Sequence, residues 1–159
     1  YLVMRGYWND DERSREAIDG GAWMHSGDLA TMDDDGYVRV VGRIKDMVIR
    51  GGENLYPREI EEFLYGHPDV SDVQVIGVPD ERFGEELMAW VICREGASQS
   101  EEDLREFCRG QIAHHKIPRY FKFVDSFPMT VTGKVQKFKM REMAIQELGL
   151  QTAAAVATA

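Results

Sequence analysis

The sequence lacks any hydrophobic run long enough to cross a membrane. No apolar stretch approaches the ~18 residues of a spanning helix, and the first residues have no signal-peptide pattern of basic, apolar and small-residue regions. The chain begins with Tyr1 instead of methionine, which suggests a fragment of a longer protein. We therefore predict a globular, cytoplasmic piece without a transmembrane segment.

Cysteine is also scarce. The two cysteines, Cys93 in an apolar run and Cys108 in a helical pattern, have neither the spacing of a metal site nor the number needed for a disulfide framework. They are expected to be small core residues in a reducing compartment. With 159 residues, the chain can bury one ordinary core and an appendage, but not two full-sized domains.

The chain has fewer basic than acidic residues, 19 Lys and Arg against 28 Asp and Glu. The net charge of -9 argues against a nucleic-acid or anionic-membrane binder, because most of the surface would repel a polyanion. The region between His114 and Arg141 is the exception, with seven basic residues against Asp125 alone, a local +6 that leaves -15 for everything else. This run is either an anion site or a solvated basic helix face.

Local patterns give the order of the elements. An acidic first turn opens a short helix that stops near Gly20, and Asp35-Gly36 supplies the turn of a hairpin with strands at 29–32 and 37–41. The later elements are a strand at 47–49, a helix from Pro57 with Glu59, Glu61 and Glu62 toward water, strands at 70–78 and 86–94 joined by 79–84, a helix from 101 to 112 after a Ser100–Asp103 cap, a strand at 120–124, and a helix to about 148.

These patterns predict an α+β fold. It is a small domain with a central, mostly antiparallel sheet flanked by helices, preceded by a hairpin-containing segment. The Ala-rich end, residues 151–159, has little to pack against and is predicted to be frayed or disordered.

Two charged residues near the hairpin could bind a nucleotide. Asp28 follows a glycine turn and could accept hydrogen bonds from a ribose diol, or it could only stabilise the turn. Arg43 offers a fork of donors for phosphate or ribose oxygens, or it could form a hairpin salt bridge.

Two glycine-hinged segments follow. Gly51-Gly52 leaves a gap for a thin ligand or makes a plain turn. Lys134, after Gly133, could swing a positive charge onto a reacting carboxylate and phosphate, or could be an ordinary exposed lysine. His114-His115 lacks the i, i+4 spacing of a metal pair, so solvated ring nitrogens at a helix end are the simpler interpretation.

The order of these segments resembles a known family. The motifs are WMHSGD at 23–28, GRIKD at 42–46, GGENLYPREIE at 51–61 and PMTVTGKVQK at 128–137. Together they are similar to the late motifs of the adenylate-forming acyl-CoA synthetases, and the resemblance runs from Tyr1 to about Leu148.

The resemblance implies an ATP- and Mg²⁺-dependent enzyme that converts a carboxylic acid to an acyl-adenylate and then transfers the acyl group to CoA. A small C-terminal lid rotates against a large N-terminal domain between these two steps. Residues 1–44 would then end the large domain, 46–150 would form the lid, and Lys45 would be the hinge.

The resemblance also implies a role for each site residue. Asp28 is similar to the ribose-binding aspartate and Arg43 to the nucleotide-contacting arginine. Lys134 resembles the adenylation lysine, and Gly51 and Gly52 resemble the loop lining the CoA passage. The basic surface, including Lys137, is a candidate for holding CoA phosphates.

Two alternatives stay open. An adenylation domain that charges a carrier protein would need the same glycine passage, and a degenerate regulatory module would be expected to lack Asp28, Arg43 or Lys134. The phosphate loop and acid pocket of the family lie in the large domain, so this chain alone is predicted to be inactive. Acylation of Lys134 would remove its charge and is a hypothesis for regulation.

Overall fold

A computed structural model describes residues 2–157, with side chains as far as Ala154. The chain divides into two compact units, one ending at Lys45 and the other beginning at Asp46. Every helix in residues 2–157 is too short or too polar to cross a lipid bilayer.

The first unit contains a helix and a hairpin. Helix α1 (Asp11–Ala17) is capped by Asp10, whose Oδ1 accepts from the Arg13 amide at 3.0 Å. Strands β1 (Asp28–Met32) and β2 (Val38–Arg43) pair antiparallel. The predicted hairpin is confirmed, and pairing extends it at its open end to Asp28 and Arg43.

The second unit contains the remaining elements. They are β3 (Val48–Arg50), β4 (Glu53–Leu55), α2 (Pro57–Leu64), β5 (Val70–Asp80), β6 (Gly84–Cys93), α3 (Glu101–Cys108), β7 (Tyr120–Phe123), α4 (Lys137–Glu147) and α5 (Gln151–Ala157). The sheet order is β4-β3-β6-β5, and β7 lies parallel to β6 while the other pairs are antiparallel. The predicted α+β class with a mostly antiparallel sheet is confirmed.

Helices cover both faces of this sheet. One core cluster joins Val73 and Leu87 to residues of α2 and α3, and the other joins Ile76 and Trp90 to residues of α4. Alternate residues of each strand enter opposite clusters because successive side chains point to opposite faces. Strand β6 is buried continuously from Glu86 to Val91, as its unbroken apolar run predicts.

The cysteines are both free. Cys108 is buried in the first core cluster, and burial raises the pKa of its thiol to about 11. Cys93 is half-buried and packs against the same cluster. Their predicted role as small core residues is confirmed.

Several predicted boundaries need correction. Strands β5 and β6 extend into the predicted linker as far as the pair Asp80 and Gly84, because Asp80 Oδ1 accepts from the amides of Arg82 and Phe83 and closes a tight turn. Helix α3 ends at Cys108, so Ile112 packs on the core from outside the helix. Strand β4 was not predicted.

The prediction for the C-terminal end is wrong within the described residues. Residues 151–157 form α5, and the Ala153 side chain is only 5% exposed. Alanine has a high helix propensity, and α5 lies against β5 and α4. Residues 158–159 lie outside the described residues.

The prediction that Glu61 faces water is also wrong. Its Oε1 accepts from the Val75 amide at 2.8 Å and from Lys137 Nζ at 2.6 Å. The carboxylate therefore satisfies a backbone donor of β5, the edge strand, which has no strand partner on that side among residues 2–157.

Candidate functional site

The structure brings Asp28 and Arg43 together at the open end of the hairpin. They are Cα partners across β1 and β2, and Arg43 Nε donates to Asp28 Oδ1 at 3.1 Å. The Asp28 amide donates to Ser26 Oγ, and Gly27 has φ 77°, so the turn before Asp28 is well defined. The pair is a hairpin salt bridge, and the Arg43 side chain is still 66% exposed. Both groups can therefore still meet a polar ligand.

Lys45 lies where the two units meet along the chain. It is exposed in a short 3-10 turn, Ile44–Asp46. The Ile44 amide donates to the Gly27 carbonyl at 2.9 Å, which ties the start of this turn to the first unit. Lys45 is the last residue of that unit.

Gly51 and Gly52 form the exposed turn between β3 and β4. Their φ angles are 58° and 89°, and two consecutive positive values are typical of a tight hairpin turn. The Gly51 amide donates to the Phe83 carbonyl at 2.8 Å. A Cβ on Gly51 would lie 3.2 Å from the Phe83 ring, whereas one on Gly52 would meet open space.

Lys134 closes an ordered, exposed turn. Its carbonyl accepts from the Thr130 amide at 2.8 Å, and its amide donates to Thr130 Oγ1 at 3.0 Å. Gly133 has φ 78° and bonds back to Thr130. The backbone is thereby fixed, while the Lys134 side chain extends into solvent.

Most of the basic run is paired inside the domain. Five of its seven cations contact carboxylates from other parts of the chain, in the pairs Lys116–Glu59, Arg119–Asp80, Lys122–Glu147, Lys137–Glu61 and Arg141–Glu85. Lys137 Nζ also donates to the Val75 carbonyl. This position gives Lys137 partners inside the domain, and the interpretation of the run as a solvated basic face needs correction.

The second unit also contains an arginine-lined cleft of about 350 Å³, which was not predicted from the sequence. Its lining residues are Arg50, Phe83, Glu86, Arg105, Arg109, His114, Ile117 and Arg119. They come from four separate stretches of the chain, so no local motif could reveal them. The one available signal is that Arg50 directly precedes Gly51-Gly52.

Arg50 and Glu86 form the floor of this cleft. Arg50 Nη2 lies 2.7 Å from Glu86 Oε1, and Glu86 is only 3% exposed. The hydrogen bond that Arg50 donates to this carboxylate raises the pKa of Arg50 above its ordinary value. The Arg50 guanidinium also stacks over the Phe83 ring at 4.1 Å, but its buried Nε has no hydrogen-bond partner among the residues that the structure describes. Arg109 and Arg119 are more than half exposed at the rim.

Histidine and carboxylate groups do not form a metal centre in the part of the chain that is described. His115 Nε2 lies 3.2 Å from Glu53 Oε2, and His114 borders the arginine-lined cleft. The two adjacent histidines therefore have separate surroundings.

The second unit is thus an α+β domain that presents two exposed glycine-containing turns, one ending in a lysine. The profile of the AMP-binding enzyme C-terminal domain matches residues 59–134. The chain belongs to the adenylate-forming acyl-CoA synthetase family and carries its C-terminal domain.

Relatives and solved structures are consistent with this assignment. The chain is 57% identical to the putative acyl-CoA synthetase YngI of Bacillus subtilis, over 96% of this chain and 28% of that protein. It is 51% identical to the bovine mitochondrial medium-chain acyl-CoA ligase ACSF2, over 94% of this chain and 24% of the ligase. ATP-bound MatB from Rhodopseudomonas palustris superposes with a TM-score of 0.84 at 39% identity, over 89% of this chain and 28% of MatB.

Proposed function

We propose that this chain is the mobile lid of an ATP-dependent, AMP-forming carboxylic acid:CoA ligase. The lid supplies Lys134 for adenylation and the Gly51-Gly52 turn for thioester formation, and Lys45 is the hinge. The observation that carries the proposal is the Lys134 turn, a rigid backbone with an exposed cation at its tip. The acid is a fatty acid, in line with the medium-chain acyl-CoA ligase named among the relatives.

The adenylation step needs a positive charge beside the carboxylate and the α-phosphate as they react. A fixed backbone with a flexible, solvated side chain allows Lys134 to reach developing charge without moving the domain core. Asp28 and Arg43 bind the ribose and phosphate groups of ATP in this proposal. Mg²⁺ would enter with ATP, and we assign no residue of this chain to it.

The thioester step needs a narrow passage for the thiol arm of CoA. The bare Gly51-Gly52 turn suits such an arm, because a side chain there would narrow the gap. The arginine-lined cleft shares Phe83 with that turn. We place the anionic nucleotide end of CoA in this cleft, where exposed Arg109 and Arg119 can meet its phosphates.

Two other functions remain as alternatives. A carrier protein could present the same thiol arm in place of free CoA, and acyl transfer by the full-length enzyme to each acceptor would discriminate between them. A non-catalytic regulatory module is disfavoured because Asp28, Arg43 and Lys134 are all present and exposed or half-exposed. A cytoplasmic location remains a prediction, since the ACSF2 relatives are named as mitochondrial.

The test is a Lys134→Ala substitution in the full-length enzyme. Acid-dependent exchange of pyrophosphate into ATP should fall at least about a hundredfold, because the transition state loses the positive charge that stabilises its developing negative charge. Thioester formation from supplied acyl-adenylate should change little.

Lys139→Ala is the matched control, because Lys139 is an exposed lysine five positions further along. It should leave both steps near the wild-type rate. Equal loss of both steps in Lys134→Ala would contradict the assigned role. Pyrophosphate exchange by the isolated chain tests the separate prediction that this fragment is inactive.

A further inference from the structure

Glu85, on β6, contacts the supports of both functional turns. Its Oε1 accepts from Arg141 Nη1 at 2.6 Å, and its Oε2 accepts from the Ile49 amide at 2.9 Å. Arg141 lies in the first part of α4, the helix that follows the Lys134 turn, and Ile49 lies two residues before Gly51. One carboxylate therefore joins the helix behind Lys134 to the strand leading into Gly51-Gly52.

Gly77 lies directly beside the ion pair between Glu85 and Arg141. Arg141 Nη1 also donates to the Gly77 carbonyl at 3.0 Å. A Cβ on Gly77 would lie 3.0 Å from Val48 Cγ2, 3.1 Å from Glu85 Oε1 and 3.3 Å from Arg141 Nη1. The φ angle of Gly77 is outside the left-handed region, so backbone conformation does not require a glycine there. The missing side chain instead makes room for the buried Val48 side chain and for the ion pair.

A second ion pair holds the same helix but not the same strand. Lys137 contacts Glu61 and the Val75 carbonyl. Glu61 also accepts from the Val75 amide. This pair ties α4 to α2 and β5 and makes no hydrogen bond to β3. Glu61 is therefore a natural comparison for Glu85.

We propose that Glu85 is a positioning residue that holds the Lys134 turn and the Gly51-Gly52 turn in a fixed relation, so that it supports both half-reactions. The inference rests on the proposed function, in which these two turns serve adenylation and thioester formation. Glu61, by the same reasoning, supports adenylation alone. The side chain of Glu85 is 20% exposed and that of Arg141 38%, so the contact is partly shielded from water.

The experiment uses Glu85→Gln in the full-length enzyme. Glutamine keeps the shape of the side chain but has a single acceptor oxygen, so it cannot accept from Arg141 and Ile49 on two separate oxygens as Glu85 does. Adenylation and thioester formation are measured separately, by pyrophosphate exchange and by CoA acylation from supplied acyl-adenylate. We expect kcat to fall about tenfold in both steps, with little change in KM for ATP. Glu61→Gln should slow adenylation only.

A double-mutant cycle separates positioning from general destabilisation. In a Lys134→Ala background, Glu85→Gln should no longer slow adenylation, because the group that it positions is absent. The thioester step should stay slow in the same double mutant, since it depends on Gly51-Gly52.

Glu147→Gln is the control, since Glu147 also anchors α4 through an ion pair, to Lys122 on β7. It should change neither step. The inference is overturned if Glu85→Gln slows one step alone, if its effect on adenylation persists without Lys134, or if Glu147→Gln gives the same pattern.

Amide hydrogen exchange provides a readout that does not depend on activity. Glu85→Gln should speed exchange at both Ile49 and Lys134, and Glu61→Gln at Lys134 but not Ile49. A wild-type enzyme that makes no acyl-adenylate from any carboxylic acid would refute the proposed function, and the exchange pattern would still decide whether Glu85 links the turns. Unchanged exchange at Ile49 or at Lys134 in Glu85→Gln would refute the link itself.

Discussion

At the scale of single residues, Gly51 is more constrained than its neighbour Gly52. Both have positive φ, which costs an alanine about 1 kcal/mol. Only Gly51 also faces the Phe83 ring, 3.2 Å from where a Cβ would lie. Positive φ therefore favours glycine at both positions, and the Phe83 ring further restricts a side chain at Gly51 only.

We expect Gly51→Ala to lower the free energy of unfolding by about 1–2 kcal/mol. Gly52→Ala is the matched control and should cost less, because its Cβ would enter open space. Urea denaturation of the two variants measures the difference. Equal losses would mean that Phe83 moves aside freely.

The roles of single residues could be predicted from the sequence where they depend only on neighbouring positions in the chain. The Gly51-Gly52 and Gly133-Lys134 turns were predicted because positive φ selects glycine at fixed places in a turn. No separate role was predicted for Arg50, because its contacts are with Glu86 and Phe83, which lie more than thirty positions away in the sequence. The roles of Asp28, Arg43, Lys45, Gly51, Gly52 and Lys134 remain predictions that the kinetic experiments test.

At the scale of elements, α3 begins with a reciprocal cap. Ser100 Oγ accepts from the Asp103 amide, and Asp103 Oδ2 accepts from the Ser100 amide. The Ser100 contacts hold the pKa of Asp103 below its ordinary value of 3.8. The sequence predicted this cap, including the aspartate in its last position.

Ser100→Ala should destabilise the domain by about 1 kcal/mol, the usual cost of losing an N-cap side chain. The contribution of Asp103 follows from its lowered pKa. Its charged form is favoured in the folded state, so this stability is present above pH 3.8 and is lost as the pH falls through the lower folded-state value.

Urea denaturation at neutral pH and an NMR titration of the Asp103 carboxylate would check both points. In Ser100→Ala the pKa of Asp103 should move back toward 3.8. An unchanged titration curve would mean that Ser100 is not the cause of the shift.

At the scale of the whole molecule, the chain divides after Lys45. This division supports the proposal that Lys45 is a hinge, because a rotation between two bodies needs a short connecting segment whose φ and ψ can change. The proposed alternation of the lid depends on that freedom.

We expect Lys45→Pro in the full-length enzyme to separate the two half-reactions. Proline fixes φ near -65° and so restricts the rotation. One half-reaction, measured by pyrophosphate exchange or by CoA acylation, should stay near the wild-type rate while the other falls at least about tenfold. Lys45→Ala is the control and should leave both rates nearly unchanged. Equal rates in Lys45→Pro and Lys45→Ala would argue against a hinge here.

The sequence by itself determined the order of the main elements, the α+β class, the turns and the family. These features depend on hydrophobic period, capping and turn residues, all of which act over a few positions. Family membership followed from motifs whose spacing along the chain can be read directly.

Only the tertiary structure decided how the charges are used. Glu61 looked solvent-facing and Lys137 looked free for an anion, yet the two meet across 76 positions and satisfy the edge of β5. Glu85 likewise accepts from a backbone amide, that of Ile49, and from a distant cation, Arg141. A backbone group left bare at a sheet edge needs a partner, and only the folded chain determines which side chain reaches it.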